Sequence, residues 1–209
     1  MESPRSVADT VILHYFLLAD QAKLLVRQLG RPIAVPRIVF DPDEEDEVPE
    51  DARSELTRGI SVKGRAAKDL ARDPVARLRA VTNQTRLNVI HDLHSSGDVL
   101  VVDLDKRELR MLGTLTSPSG CSSFNLKFPL HAGEAACVAI AINRGLMLVT
   151  DDSDALKALK SGGHTRPYQR VRKLLIEAAE SNLISRAEAN GIHAEMRSLG
   201  FWDTQPPFE

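Results

Sequence analysis

The sequence predicts an α/β fold, and three observations predict it. Short apolar runs rich in β-branched residues recur at Pro32–Pro36, Val99–Leu104 and Leu146–Thr150, each the length of a strand buried on both faces. Longer stretches with apolar residues at helical spacing separate them. Hydrophobic residues make up 43 % of the 209 positions, enough for one core and too many for a disordered chain. Strand and helix alternating in this way imply a three-layer sandwich, a central and mostly parallel sheet flanked by helices.

The elements follow in order. Ser6-Val-Ala8 leads as a strand into Asp9, and Val11–Phe16 and Ala22–Leu29 have helical periodicity, broken around Ala19-Asp20 and stopped by Gly30. Pro32–Pro36 is the second strand, and Ile38–Phe40 starts a helical turn. Glu50–Ser95 is mostly helical, with interruptions expected at Gly59, Gly64 and Asp73-Pro74. Val99–Leu104 is the third strand, Lys106–Leu112 a short helix, and Ser117–Ser123 a Ser/Gly/Pro loop. A helix over Glu134–Asn143 ends at Gly145, and Leu146–Thr150 is the fourth strand. Ser153–Leu159 is helical and Gly162-Gly163 breaks it. Thr165-Arg-Pro167 starts a helix running to about Ser181, since Pro is tolerated in a first turn. Ser185-Arg-Ala-Glu188 is a capping box that opens a last helix ending near Gly200. The chain thus reads as a single domain, 1–209, with an acidic and helical insertion at about 41–95 and two C-terminal helices at about 167–200.

Composition excludes several classes. No apolar run approaches the roughly 20 residues of a membrane helix. Met1–Arg5 lacks the basic flank and apolar stretch of a secretory leader, and Cys121 and Cys137 are too few for a disulfide framework. A cytoplasmic protein is expected. The 27 basic and 29 acidic residues leave a net charge of −2, but they are unevenly spread. Asp41–Glu55 holds nine acids and one base, Arg53, whereas Ala155–Lys173 holds six bases and no acid. A solvated loop and a solvated helix face explain each segment taken alone.

The carboxylates carry more information. In an open parallel sheet, ligands gather beyond the C-terminal strand ends. Asp9 sits at the first strand-to-helix junction, Glu134 in the first turn of a later helix, and Asp151 and Asp152 after the fourth strand, with Asp154 close behind. A helix N-terminus stabilises one such carboxylate, and a cap is the commoner role for any one of them alone. Three junctions supplying acids to one edge crowd like charges, which raise one another's pKa. A hard divalent cation relieves that conflict, and oxygen-only ligands favour Mg²⁺ or Mn²⁺.

These segments together resemble a known family. Asp9-Thr-Val-Ile-Leu13, Ile33-Ala-Val-Pro-Arg-Ile-Val39, Leu130-His-Ala-Gly-Glu-Ala-Ala136 and Leu146-Met-Leu-Val-Thr-Asp-Asp-Ser-Asp154 resemble, in order, the motifs of PIN-domain nucleases. Gly-Glu-Ala, Thr-Asp-Asp and the tail at Glu180–Ile184 and Leu199–Trp202 are similar to the PIN-like toxins of bacterial toxin–antitoxin pairs. The resemblance spans most of the chain outside about 41–95. It implies a metal-dependent ribonuclease that hydrolyses RNA phosphodiesters, with an antitoxin protein as partner and a homodimeric state. Asp9, Glu134, Asp151 and Asp152 would be catalytic, and Asp9, Glu134, Asp152 and Asp154 would hold the metal. Thr150 would orient a carboxylate or a water. Family members often carry one more acid after the second strand, for which Asp41 and Asp43 are the candidates here.

Lys157, Lys160 and Arg166 follow the Asp151–Asp154 turn and are candidate RNA-backbone contacts. Arg58, Lys63, Arg65, Lys68 and Arg72 form a second basic group better explained as a solvated helix. His91 and His94 have an i, i+3 spacing but no third ligand nearby, and Cys121 has no base in sequence. The alternatives are a catalytically inactive PIN-like module that binds RNA or protein, and a DNA- or structure-specific nuclease on the same scaffold.

Overall fold

The computed structural model describes residues 2–44, 53–62 and 74–209. Four short strands, β1 (Ser6–Ala8), β2 (Ile33–Pro36), β3 (Val99–Val102) and β4 (Met147–Val149), form an all-parallel sheet in the order β3-β2-β1-β4. Register pairs Val7 with Ala34 on one side and with Leu148 on the other, and Val35 with Val101. The residues of β1 and β2 are all buried, as expected for strands covered on both faces. The α/β expectation holds.

Ten helices surround the sheet among the described residues: α1 (Thr10–Leu18), α2 (Ala22–Leu29), α3 (Glu55–Val62), α4 (Pro74–Ser95), α5 (Lys106–Leu115), α6 (Pro118–Cys121), α7 (Ala132–Arg144), α8 (Ser153–Ser161), α9 (Val171–Glu180) and α10 (Arg186–Ser198). They fall into two packing groups, α7 with α5 and α8, and α1 with α2, α4 and α10, with α9 joining α2 and α10. The small residues of α7 make close approach possible. Ala135, Ala136, Ala139 and Ala141 have no more than a methyl to place, all are fully buried, and α7 lies directly on β1, β2 and β4. An ion pair joins α5 to the exposed last residue of α7: Arg144 Nε and Nη2 each donate to a Glu108 carboxylate oxygen at 2.7 Å, and Glu108 has no exposed surface. Among the described residues no helix is long and apolar enough to cross a membrane.

Several expected boundaries move. Gly59 lies within α3 and interrupts nothing, while Pro74 opens α4, the first-turn position Pro tolerates. Gly64, Lys63, Arg65, Lys68 and Arg72 lie outside the described residues, as does acidic 45–52. The Ser117–Ser123 loop contains α6, because Ser117 Oγ accepts from Gly120 N at 3.1 Å and Pro118 sits at the first helical position. The helix expected from Pro167 starts only at Val171. Gln169 takes the intervening segment, pairing in parallel with Val149: Gln169 N donates to Leu148 O at 2.9 Å and Thr150 N to Gln169 O at 3.0 Å. The sheet edge outbids an early helix because those groups would otherwise lie unpaired beside β4.

Candidate functional site

The chain builds outward from β1 to β2 and β3, then returns to the other side of β1 with β4. The crevice between the C-terminal ends of β1 and β4 is therefore the switch point of the topology, where open parallel sheets bind ligands. Asp9 ends β1 there and caps α1, its Oδ1 accepting from Ile12 N at 2.9 Å. Thr150, at the end of β4, donates its hydroxyl to Asp9 Oδ2 and accepts from Asp152 N at 3.1 Å. Asp152 caps α8, accepting from Ala155 N at 2.6 Å.

Asp9 is 1 % exposed, and its carboxyl is pushed up to about 7. Burial is the main cause, the Thr150 and Ile12 hydrogen bonds oppose it, and the charges of Asp151 and Glu134 add to it. Glu134 lies in the first turn of α7 and accepts from His131 N at 3.2 Å. Burial raises its pKa, and so do the charges of Asp152 and Glu55. Asp9, Glu134 and Asp152 thus share one electrostatic neighbourhood. None of the three forms an ion pair with Lys or Arg among the described residues.

Glu55 belongs to the same neighbourhood and was not singled out from sequence. Its backbone is tied to the end of β2 by Glu55 N to Ile38 O at 3.0 Å and Leu56 N to Val39 O at 2.9 Å. Its carboxylate accepts from Thr10 Oγ1 at 2.6 Å and from Gly133 N at 2.9 Å, so it bridges the starts of α1 and α7. Gly133 is required by this contact: a Cβ built there overlaps the Glu55 carboxylate. The only hint in sequence was an acid at the start of a helical run, hidden in a stretch of nine.

Asp41 and Asp43 do not take this place. Arg37 Nη1 binds Asp41 Oδ1 at 2.6 Å and Asp43 Oδ2 at 3.1 Å, while its Nε binds Asp103 Oδ1 at 2.9 Å. One guanidinium thus occupies three carboxylates on the β2–β3 side of the sheet.

The other expected residues make further contacts. Asp151 is 3 % exposed and its Oδ2 accepts from Val171 N at 3.0 Å, tethering the start of α9. Its carboxyl rises to about 6, through burial first, with Val171 and Arg170 lowering it and Asp203 raising it. Asp154 pairs with Lys157 at 2.6 Å. Lys160 lies over the Tyr168 ring, 5.6 Å from its centroid. Arg166 sits with Arg5, Gly145 and Leu146 at the N-terminal end of β1 and β4, away from the carboxylates. His91 and His94 stack edge-on against Phe40, and Cys121 is buried with Sγ 3.3 Å from Pro118 O.

Among the described residues no group of three or more His, Cys, Asp or Glu side chains meets at a spacing that would hold a metal ion. The oxygen-only chemistry of Asp9, Glu55, Glu134 and Asp152 nevertheless fits a hard cation. Glu134 Oε1 and Asp152 Oδ2 accept no hydrogen bond from the described residues. No family model matches this chain, and no curated protein or solved structure matches it.

Proposed function

We propose that this chain is a Mg²⁺- or Mn²⁺-dependent ribonuclease acting at the β1–β4 crevice, in keeping with its resemblance to PIN-like toxins. The observation that carries this reading is Asp9, a buried carboxylate held at the switch point with Glu134 and Asp152 near it and no described cation to balance them. Evolution tolerates such crowding where a ligand relieves it. Asp9, Glu55, Glu134 and Asp152 are the residues that would hold the ion. When bound, a divalent cation polarises a phosphate and activates water as the nucleophile.

The chain's own groups prepare the site. Thr150 fixes the Asp9 carboxylate and, through the Asp152 amide, the start of α8. Thr10 and Gly133 fix Glu55, and the His131 amide holds one oxygen of Glu134 and leaves the other open. Lys157 neutralises Asp154 in this arrangement, which assigns Asp154 to the rim.

A second reading, a non-catalytic module that binds RNA or a protein, is favoured by the spacing of the acids, which close on no preformed metal cage among the described residues. Cleavage assays separate the two. The purified chain is expected to degrade single-stranded RNA with Mn²⁺, to stop with EDTA, and to lose activity in Asp9→Asn/Glu134→Gln. A double variant that cleaves as fast as the parent overturns the site. Growth arrest on expression, relieved by a small neighbouring gene product, would support the toxin role and its antitoxin partner. A mass of one chain in solution would contradict the homodimer that the resemblance implies.

A further inference from the structure

We infer that the groove at the N-terminal end of β1 and β4 is a second binding site, one that takes a phosphate group. The groove is about 460 Å³ and is lined by Arg5, Arg144 and Arg166, with Glu2, Gly145 and Leu146. The three arginines come from three separate segments: the residue before β1, the last residue of α7, and the connection between α8 and α9. Arg5 and Arg166 are exposed and form no ion pair with the described residues, and neither does Glu2.

Arg144 gives the groove a rigid element. Its Nε and Nη2 are committed to Glu108, and Nη2 also reaches Asp103 O at 2.7 Å. Its Nη1 makes no hydrogen bond to the described residues, so both of its protons remain available on a guanidinium already fixed in place. A fixed donor loses little freedom on binding. Two uncommitted arginines, Arg5 and Arg166, with the fixed Arg144 beside them on one concavity, suit a tetrahedral oxyanion with several acceptor oxygens. The charge balance agrees: Arg144 is offset by Glu108, and Arg5 and Arg166 outnumber Glu2. The carboxylates of the β1–β4 crevice lie at the other end of the same strands, four residues from Arg5 to Asp9, or about 13 Å of extended chain. The two sites are therefore separate, and this inference stands whether or not the crevice holds a metal.

The test is calorimetric titration of the full chain with inorganic phosphate in EDTA, against chloride at matched ionic strength. The parent is expected to bind phosphate, and Arg5→Ala/Arg166→Ala to weaken it by about tenfold or more, the scale of lost charge-assisted hydrogen bonds. Melting in chloride checks that the variant is folded. Should it not be, amide chemical shifts of Gly145 and Leu146 in the parent serve instead, and they are expected to move on adding phosphate. Parent binding no tighter than chloride, unmoved shifts, or equal affinity in the folded double variant overturns the inference. A parallel titration with a single-stranded oligoribonucleotide identifies the source of the phosphate. Loss of RNA affinity in the double variant, with a salt slope reduced by about 1.4, points to a nucleic-acid backbone. Unchanged RNA affinity beside lost phosphate binding points to a small phosphorylated molecule.

Discussion

Replacing Asp9 with Asn is expected to make the metal-free protein more stable at neutral and alkaline pH. The Asp9 carboxyl rises from 3.8 to about 7 in the folded chain. The folded state therefore binds its proton more tightly than the unfolded state does. Stability from this group is full below pH 4, falls as pH rises from about 4 to about 7, and is flat above that. At 1.36 kcal/mol per pKa unit, the charged form costs about 4 kcal/mol at pH 8. Asn carries no charge and keeps an oxygen for Ile12 N, but its amide meets the Thr150 hydroxyl, which must turn around. That loss is about 1 kcal/mol. The net gain at pH 8 is then about 3 kcal/mol, or about 6–12 °C in Tm for a chain of this size. At pH 4 the variant is equal to the parent or slightly weaker. Urea denaturation in EDTA at pH 4, 6 and 8 reads this difference directly. Asp151 titrates in the same range and its charge is one cause of the raised Asp9 carboxyl, so comparing Asp9→Asn/Asp151→Asn with Asp151→Asn repeats the measurement without that coupling. Parallel loss of stability in parent and variant between pH 4 and pH 8 would mean that Asp9 ionises in the folded chain without cost.

Three further outcomes follow from the same geometry. Gly133→Ala is expected to expel the Glu55 carboxylate from its bonds to Thr10 and Gly133 N, lowering Mn²⁺-dependent cleavage by about tenfold or more while circular dichroism stays native; cleavage at the parental rate would remove Glu55 from the site. Asp151→Asn keeps an acceptor for Val171 N and removes a charge whose carboxyl rises from 3.8 to about 6, so it is expected to gain about 3 kcal/mol at pH 8 in urea denaturation and to retain cleavage, whereas Asp151→Ala gains about 1 kcal/mol less through the lost hydrogen bond; a large drop in cleavage in Asp151→Asn would give Asp151 the catalytic role that the resemblance implies. Arg144→Met leaves the buried Glu108 with the Asp105 amide, which donates to its Oε2 at 2.9 Å, but without a countercharge, and is expected to cost about 3 kcal/mol in urea denaturation; a change within error would show that the amide alone satisfies Glu108.

The sheet was legible because its strands announce themselves. Leu146–Thr150 and Val99–Leu104 are apolar, β-branched and bounded by turn residues, and Asp9, Thr150 and Asp152 stand at their ends by simple adjacency in the chain. Glu55 was not legible, since its place depends on two backbone bonds to Ile38 and Val39 across a long acidic segment, a tertiary event with no local trace. Arg166 misled for the opposite reason. It follows Asp154 by only twelve residues, but the intervening α8 carries the chain back toward the other end of the strands. Pro167 misled because a helix-start preference is small beside the pairing of Gln169 with β4. Asp151 and Asp152 show the limit most plainly: neighbours in sequence, one caps α8, while the other ties down the start of α9 and still adds its charge to the surroundings of Asp9.

Anomalous scattering from a crystal soaked in Mn²⁺ shows whether the crevice carboxylates hold a metal. A single strong peak is expected in the β1–β4 crevice, with oxygen ligands drawn from Asp9, Glu55, Glu134 and Asp152. A fully occupied Mn²⁺ elsewhere on the molecule, with the crevice left to water, would contradict it.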